Sequence, residues 1–311
     1  MNIDRVDGLA CPVHHGTLRH AGGILQCAEC GPVGRMEGAV FSFLPQADAF
    51  YEGRYSNRTR FLPRNDGLVA TFPLRVVLQG YPTTVAAEVP EGSTVVEIGC
   101  AGGLAWFARR YRMAGIDLSL GSLRLAADYR YAVQGDARRL PFPDGSVDGV
   151  VSSCFFEHLD DEGKLQVLRE CARVLRPGGK VVFFYDVWTD NPVIAFFRRR
   201  DPARYRREFL EGDGHVGYAS LAHNAVLFER SGLAVLRHAY HERTPLLSNS
   251  CWQKLATWPG LAGRLARLMD RLTGGVLRLP ALVLVFLLDT TVGRLLPADW
   301  ARCVTTVARK P

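Results

Sequence analysis

An α/β fold on a parallel, doubly wound sheet is what this sequence predicts, and three observations carry that expectation. From Thr94 onward, short β-branched runs alternate with helical patterns; a glycine-rich turn, Gly99-Cys-Ala-Gly-Gly103, follows the first run; and acids stand at successive strand ends, Glu97, Asp117 and Asp136. Alternation of that kind marks βαβ units, whose crossovers put helices on both faces of a sheet.

Taken in order, Thr94–Ile98 reads as a buried strand, and the turn at 99–103 opens a helix that continues through Arg110. A second strand ends at Gly115-Ile-Asp117, a helix begins at Ser119, and a third strand lies near Tyr131–Gln134. Val147–Ser152 and Lys180–Tyr185 are the fourth and fifth strands. The helix between them, Asp161–Leu175, stops at Arg176-Pro-Gly-Gly179, where proline and two glycines cannot continue it. Ala219–Ser231 forms a helix, Leu233–Tyr240 a sixth strand and Arg302–Ala308 the last one. Some 60 residues separate those two strands, far beyond a hairpin loop, so the 55 residues at 245–299 predict a helical cap.

In open sheets of this class, ligands collect beyond the carboxyl ends of the strands. Glu97 and Asp117 lie 20 residues apart, the distance at which an acid after the second strand reaches a ribose hydroxyl pair. Glycines in the first turn let backbone approach that ligand closely. That turn does not carry the dinucleotide pattern Gly-x-Gly-x-x-Gly, which disfavours NAD and FAD.

With 311 residues, 48% of them apolar and 22% charged, the chain is globular, and one large domain with an appendage suits its length. The net charge of +7, carried by 34 arginines and 4 lysines against 31 acids, falls short of the concentrated basic footprint of a dedicated nucleic-acid binder. The first eight residues hold acids where a secretory leader would be basic, and no apolar stretch follows, so a cytoplasmic location is expected. Leu279–Leu288 is the longest apolar run; it contains Pro280, ends at Asp289 and is shorter than the ~18 to 20 residues that cross a bilayer. No transmembrane segment is expected on that ground.

Cys11-Pro-Val-His14 and Cys27-Ala-Glu-Cys30 are paired knuckles around a glycine-bearing hairpin. Each presents two ligands from a tight turn, so Cys11, His14, Cys27 and Cys30 together complete a tetrahedron for a structural Zn²⁺, with His15 as an alternative to His14. About 45 residues bury too little apolar surface to fold alone, and a metal supplies the missing free energy. The other cysteines, at 100, 154, 171, 251 and 303, stand singly and read as small core residues.

Six motifs in order make residues 93–185 resemble the class I S-adenosylmethionine-dependent methyltransferases of the small-molecule, methyltransferase-11-like type. They are Val95-Val-Glu-Ile-Gly-Cys-Ala-Gly-Gly103, Gly115-Ile-Asp-Leu-Ser119, Gln134-Gly-Asp-Ala137, Leu140-Pro-Phe-Pro-Asp-Gly-Ser-Val-Asp148, Glu157-His-Leu159 and Leu175-Arg-Pro-Gly-Gly179. The resemblance implies a Rossmann-like seven-stranded sheet with an antiparallel edge hairpin and S-adenosylmethionine as cofactor. Glu97, Gly99, Cys100, Ala101 and Gly103 would lie against its methionine part, Asp117 at the ribose hydroxyls, and Asp136 with Ala137 at the adenine edge, with Leu118 and Ser153 as further cofactor-binding residues. Ala101 replaces the commoner middle glycine. Tyr55, with Tyr51, would close over the cofactor from the N-terminal side. The expected organisation is a zinc-ribbon-like segment at 1–45, a helical linker or lid at 46–92, and the methyltransferase domain at 93–311 with insertions at 190–217 and 245–299.

A sulfonium already makes its methyl electrophilic, so geometry and exclusion of water supply much of the rate, and a base is needed only for a nucleophile of high pKa. His158 and His215 are the first candidates for it; Tyr185, Asp186, Tyr218 and His223 follow. Within the cap, Leu261, Leu265, Leu268 and Leu272 share one helical face and Arg264, Arg267 and Arg271 another. That face suits a lid over a greasy acceptor, a contact with lipid, or packing on the sheet or on a second copy. Six arginines between Arg198 and Arg207, interleaved with aromatics, read as a solvated helix face more readily than as a base-stacking surface. The large apolar cap suits a small, hydrophobic, natural-product-like acceptor, and O-methylation is favoured by its general frequency rather than by any residue here. The alternatives are a ribosomal RNA guanine methyltransferase, suggested by the zinc knuckles followed by Gly38-Ala-Val-Phe-Ser-Phe-Leu-Pro45, and a cofactor-binding fold that catalyses a rearrangement.

Overall fold

Each β-branched run recognised in the sequence forms a strand, and all of them belong to one sheet. The computed structural model describes residues 6–46, 49–55, 76–126 and 128–311. Four short strands precede the expected set: β1 Leu18–Ala21, β2 Ile24–Cys27, β3 Gly31–Glu37 and β4 Val40–Ser42. The set itself follows as β5 Thr94–Ile98, β6 Arg112–Asp117, β7 Tyr131–Gln134, β8 Val147–Ser153, β9 Leu175–Asp186, β10 Ala234–His241 and β11 Cys303–Arg309. Their spatial order is β1-β2-β3-β4-β7-β6-β5-β8-β9-β11-β10.

The last seven of those positions are the expected sheet. β5 through β9 run parallel, and β11 enters antiparallel against β9, with β10 outside it. Among the described residues the count is eleven, not seven, because β4 lies parallel to β7, pairing Val40 with Ala132 and Ser42 with Gln134. The zinc-ribbon-like segment therefore extends the sheet. Leu9, Leu18, Leu25 and Cys27 also share a core with Tyr131, Val133 and Leu140, so the segment draws its burial from the main domain. A second core, holding Tyr81, Trp106, Phe107 and Val151, covers the opposite face.

Helix Asp161–Val174 shows how local sequence sets these layers. The Asp160 side chain caps it by accepting the Gly163 amide, and Leu165, Leu168, Cys171 and Val174 turn one face inward. β9 begins earlier than expected, at Leu175, which pairs with Val147; the Arg176-Pro-Gly-Gly179 segment bulges out before Lys180 resumes pairing with Gly149.

Both insertions are helical, as expected, and they meet. Ile194, Phe197, Tyr205 and Phe209 from the first pack with Leu247, Trp252, Leu255 and Trp258 from the second in a separate core above the strand ends. Arg198 supports it by donating to the Thr189 carbonyl at 2.7 Å and lying 4.3 Å over the Trp188 ring, and Arg204 by donating to Glu208 at 2.7 Å. Two of the six clustered arginines are thus fasteners of the cap.

Two features of the cap depart from the sequence reading. The leucine stripe of helix Gly260–Thr273 faces solvent, and the buried side is Gly263, Ala266 and Thr273. The helical run Gly275–Leu295 is, by length and composition, long and apolar enough to cross a membrane, because it continues past both Pro280 and Asp289. Counting only the uninterrupted apolar residues understated it.

Candidate active site

The turn after β5 wraps around a tyrosine. Gly99, Ala101 and Gly103 hold φ values of 64°, 47° and 68°, and a methyl group added to Gly103 would stand 2.9 Å from the Tyr129 ring, so glycine is required there. Ala101 takes its left-handed conformation at a cost of roughly 1 to 2 kcal/mol, offset by its amide, which donates to Asp117 Oδ2 at 2.8 Å. Buried Tyr129 donates its hydroxyl to the Glu97 carboxylate at 2.5 Å and accepts the Leu104 amide at 2.9 Å. Burial and the Glu97 charge push that phenol well above its usual range. Glu97 itself is fully buried behind the turn, engaged with Tyr129.

Asp117 ends β6 with its carboxylate oriented from two sides, by the Ala101 amide and by the Ser119 amide at 2.9 Å. That placement, at the open end of the second parallel strand, is where a ribose diol is held in folds of this class. Leu118 accepts Gln134 Nε2 at 3.2 Å through its carbonyl, and Gln134 Oε1 in turn accepts the Ser42 hydroxyl at 2.7 Å. Asp136 is paired with Arg138 at 2.6 Å on a partly exposed corner beside buried Ala137. Cys100 is buried, and its sulfur would lie 2.6 Å from a methyl at Gly115. Ser153 ends β8, buried. Helix Ala49–Tyr55 reaches the same region, since Glu52 Oε1 accepts the Gly121 amide at 2.8 Å. Tyr51 belongs to that helix; the Tyr55 side chain lies outside the described residues, as do residues 56–75 of the expected linker.

The two histidines singled out for proton transfer, 57 positions apart in the chain, come together. His158 closes a short turn after β8, His215 arrives from the first insertion, and their rings meet edge to face at 4.9 Å. His158 Nδ1 lies 3.2 Å from the Gly214 carbonyl, and His215 stacks on Tyr218 at 5.6 Å. Burial lowers His215 to about 4 against the pull of Asp186, so it is neutral near pH 7, and its Nδ1 has no hydrogen-bond partner. Burial, then the Asp186 charge, raises the Glu157 carboxyl to about 8, and its Oε2 is likewise unpartnered. Donor atoms of Glu157, His158 and His215 lie within 4.8 Å of one another, a spacing that one bridging water or ion spans.

Beside them is a cavity between the strand ends and the cap, lined in part by Asp186, Tyr205, Phe209, His215, Tyr218 and Lys254. Its floor is a buried ion network: Arg302 grips both Glu242 oxygens, at 2.8 and 2.9 Å, and Asp186 at 3.0 Å. Lys254 closes one wall through an ion pair with Asp213. Sequence reasoning missed Tyr129, Arg302, Glu242 and Lys254; none sits in a motif, and only folding brings each to its partner. His223 is elsewhere, paired with Asp161 at 2.8 Å on the surface, and Tyr185 is buried against Thr306 at 2.8 Å. Neither lines the cavity.

At the other end of the sheet, the Cys11, His14, Cys27 and Cys30 donor atoms converge within 4.8 Å, with Cys11 and Cys30 sulfurs 3.6 Å apart and Cys27 Sγ 3.9 Å from His14 Nδ1. A tetrahedral site with Zn–S near ~2.3 Å has edges of about that length. His14, not His15, belongs to the cluster. Amides of Cys30 and Glu29 pull the Cys27 thiol down to about 6, which favours the thiolate that a metal needs.

A methyltransferase-domain family model matches residues 96–183. The cypemycin N-terminal methyltransferase of a Streptomyces species is 30% identical over 199 residues, covering 59% of this chain and 73% of that protein. The chain belongs to the class I S-adenosylmethionine-dependent methyltransferases. Among other relatives of this methyltransferase, a fatty-acid O-methyltransferase of Mycolicibacterium smegmatis is 38% identical over 130 residues, 37% of this chain and 43% of that protein. A solved geranyl diphosphate methyltransferase aligns with a TM-score of 0.49 at 16% identity, over 78% of this chain and 79% of that one. The methyltransferase spans only about two fifths of the length of the first curated relatives it matches.

Proposed function

We propose that this methyltransferase transfers the methyl group of S-adenosylmethionine to an oxygen of a small hydrophobic acceptor, in the cytoplasm. The cofactor supplies an electrophilic methyl; the chain's own part is to bind, orient and exclude water. Asp117 would hold the ribose hydroxyls, the 99–103 backbone the methionine end, and Asp136 with Ala137 the adenine edge.

The observation that carries the reading is the cavity roofed by Tyr205, Phe209 and Tyr218 directly beside His215. Its lining combines these rings and one neutral imidazole with the charged groups of Asp186, Lys254 and Arg302, which suits a small acceptor that presents a single hydroxyl or carboxyl group to them. Neutral His215 would accept a hydrogen bond from a hydroxyl and orient its oxygen; a carboxylate acceptor is already ionised and needs positioning only. The fatty-acid O-methyltransferase among the relatives points the same way. The Cys11, His14, Cys27, Cys30 site would hold a structural Zn²⁺, with all four positions filled by protein and none left for water.

Incubation with labelled S-adenosylmethionine and a panel of long-chain acids, phenols and hydroxylated polyketides, followed by mass spectrometry, tests this. Label in an O-methyl product with matching S-adenosylhomocysteine is expected. Label found only in ribosomal RNA, or cofactor bound without turnover, would replace the reading.

A further inference from the structure

We propose that the outer face of the cap, built from helix Gly260–Thr273 and the adjoining run Gly275–Leu295, rests on an anionic lipid bilayer. The inference is independent of the acceptor's identity, and its test needs no turnover.

An amphipathic helix in a soluble protein turns its apolar stripe inward. Helix Gly260–Thr273 does the reverse. Leu261, Leu265, Leu268 and Leu272 are all 50 to 80% exposed, and docking uses the small side instead. The reason is steric: a methyl at Gly263 would fall 1.6 Å from the Trp258 carbonyl, so the backbone itself presses on the loop below. The following run is equally open, with 11% of it buried and Val276 at 95% exposure. Contiguous apolar surface of this size marks an interaction site.

Charge identifies the occupant. Arg264 and Arg271 lie seven residues apart along one flank of the leucine ridge, and Arg278 and Arg294 bracket the second run; all four are exposed. Arginine stems beside a leucine ridge let the guanidinium reach phosphate while leucine enters the acyl boundary. A second copy of this chain would bring the same cationic border against itself, which disfavours it. Although long enough to span, the Gly275–Leu295 run is moored along the sheet: Asp289 accepts the Glu242 and Arg243 amides, and Val285 is buried. It therefore lies on the surface.

The full chain should co-sediment with vesicles of phosphatidylglycerol and phosphatidylcholine, much less with phosphatidylcholine alone, and release as salt rises. Leu265→Glu with Leu268→Glu should lower that partitioning at least about tenfold. Arg264→Gln with Arg271→Gln should lose about fivefold per charge on the anionic vesicles only. All four side chains are exposed, so melting temperature serves as the folding control. No vesicle binding by the unmodified chain, or binding that survives both glutamates, overturns the proposal. A lipid-free dimer in sedimentation velocity that Leu265→Glu splits also overturns it, by giving the ridge to a second copy.

Discussion

The Tyr129 hydroxyl donates to the buried carboxylate of Glu97 at 2.5 Å, joining strand β5 to the segment before β7. Removing that hydroxyl leaves a buried acid and the Leu104 amide each short of a partner. Tyr129→Phe should therefore cost about 1.5 to 3 kcal/mol of stability and weaken S-adenosylmethionine binding, read by thermal melts and calorimetry. An unchanged melt would mean the bond contributes nothing net.

Asp117 is both turn anchor and expected ribose ligand, and two substitutions separate those roles. Asp117→Ala removes both and should abolish binding. Asp117→Asn keeps an oxygen for the Ala101 or Ser119 amide but loses charge-assisted acceptance, so calorimetry should show affinity reduced about 100-fold with the melt little changed.

Glu157 gives stability a pH dependence of definite sign. Its folded value is raised, to about 8 from 4.5, so the protonated acid is favoured by folding. Its contribution is fully present below pH 4.5 and disappears as pH rises through 8. His215, lowered to about 4, acts oppositely, and its contribution disappears as pH falls from 6.5 through 4. The difference in melting temperature between Glu157→Gln and the unmodified chain isolates the first group and should grow in favour of glutamine from pH 5 to pH 8. A constant difference would show that Glu157 ionises normally.

Metal analysis should return one zinc per chain, and Cys30→Ser should lose it. Because β4 pairs with β7, chelation should raise amide exchange beyond the N-terminal strands, at Tyr131–Gln134. Exchange confined to residues before Val40 would show that the two strands hold without the metal.

Much of this fold was legible because strands buried on both faces are written as β-branched runs, and a glycine-rich turn after the first is hard to mistake. The pairing of His158 with His215 was legible only as two separate suspicions, since distance in sequence says nothing about approach. Periodicity told which leucines of 261–272 share a face but not which way it points; Gly263 and Ala266 decided that, by offering a tighter contact to Trp258. The junction of β4 with β7 left no local trace at all, because it depends on two short segments some 90 residues apart.

Ser42, Gln134 and Leu118 form a relay of two hydrogen bonds from the last ribbon strand to the residue after Asp117. Were zinc at the knuckles and a nucleoside at Asp117 coupled through it, the coupling would be reciprocal: whatever factor a loaded knuckle adds to the affinity for the nucleoside, the bound nucleoside adds to the affinity for zinc.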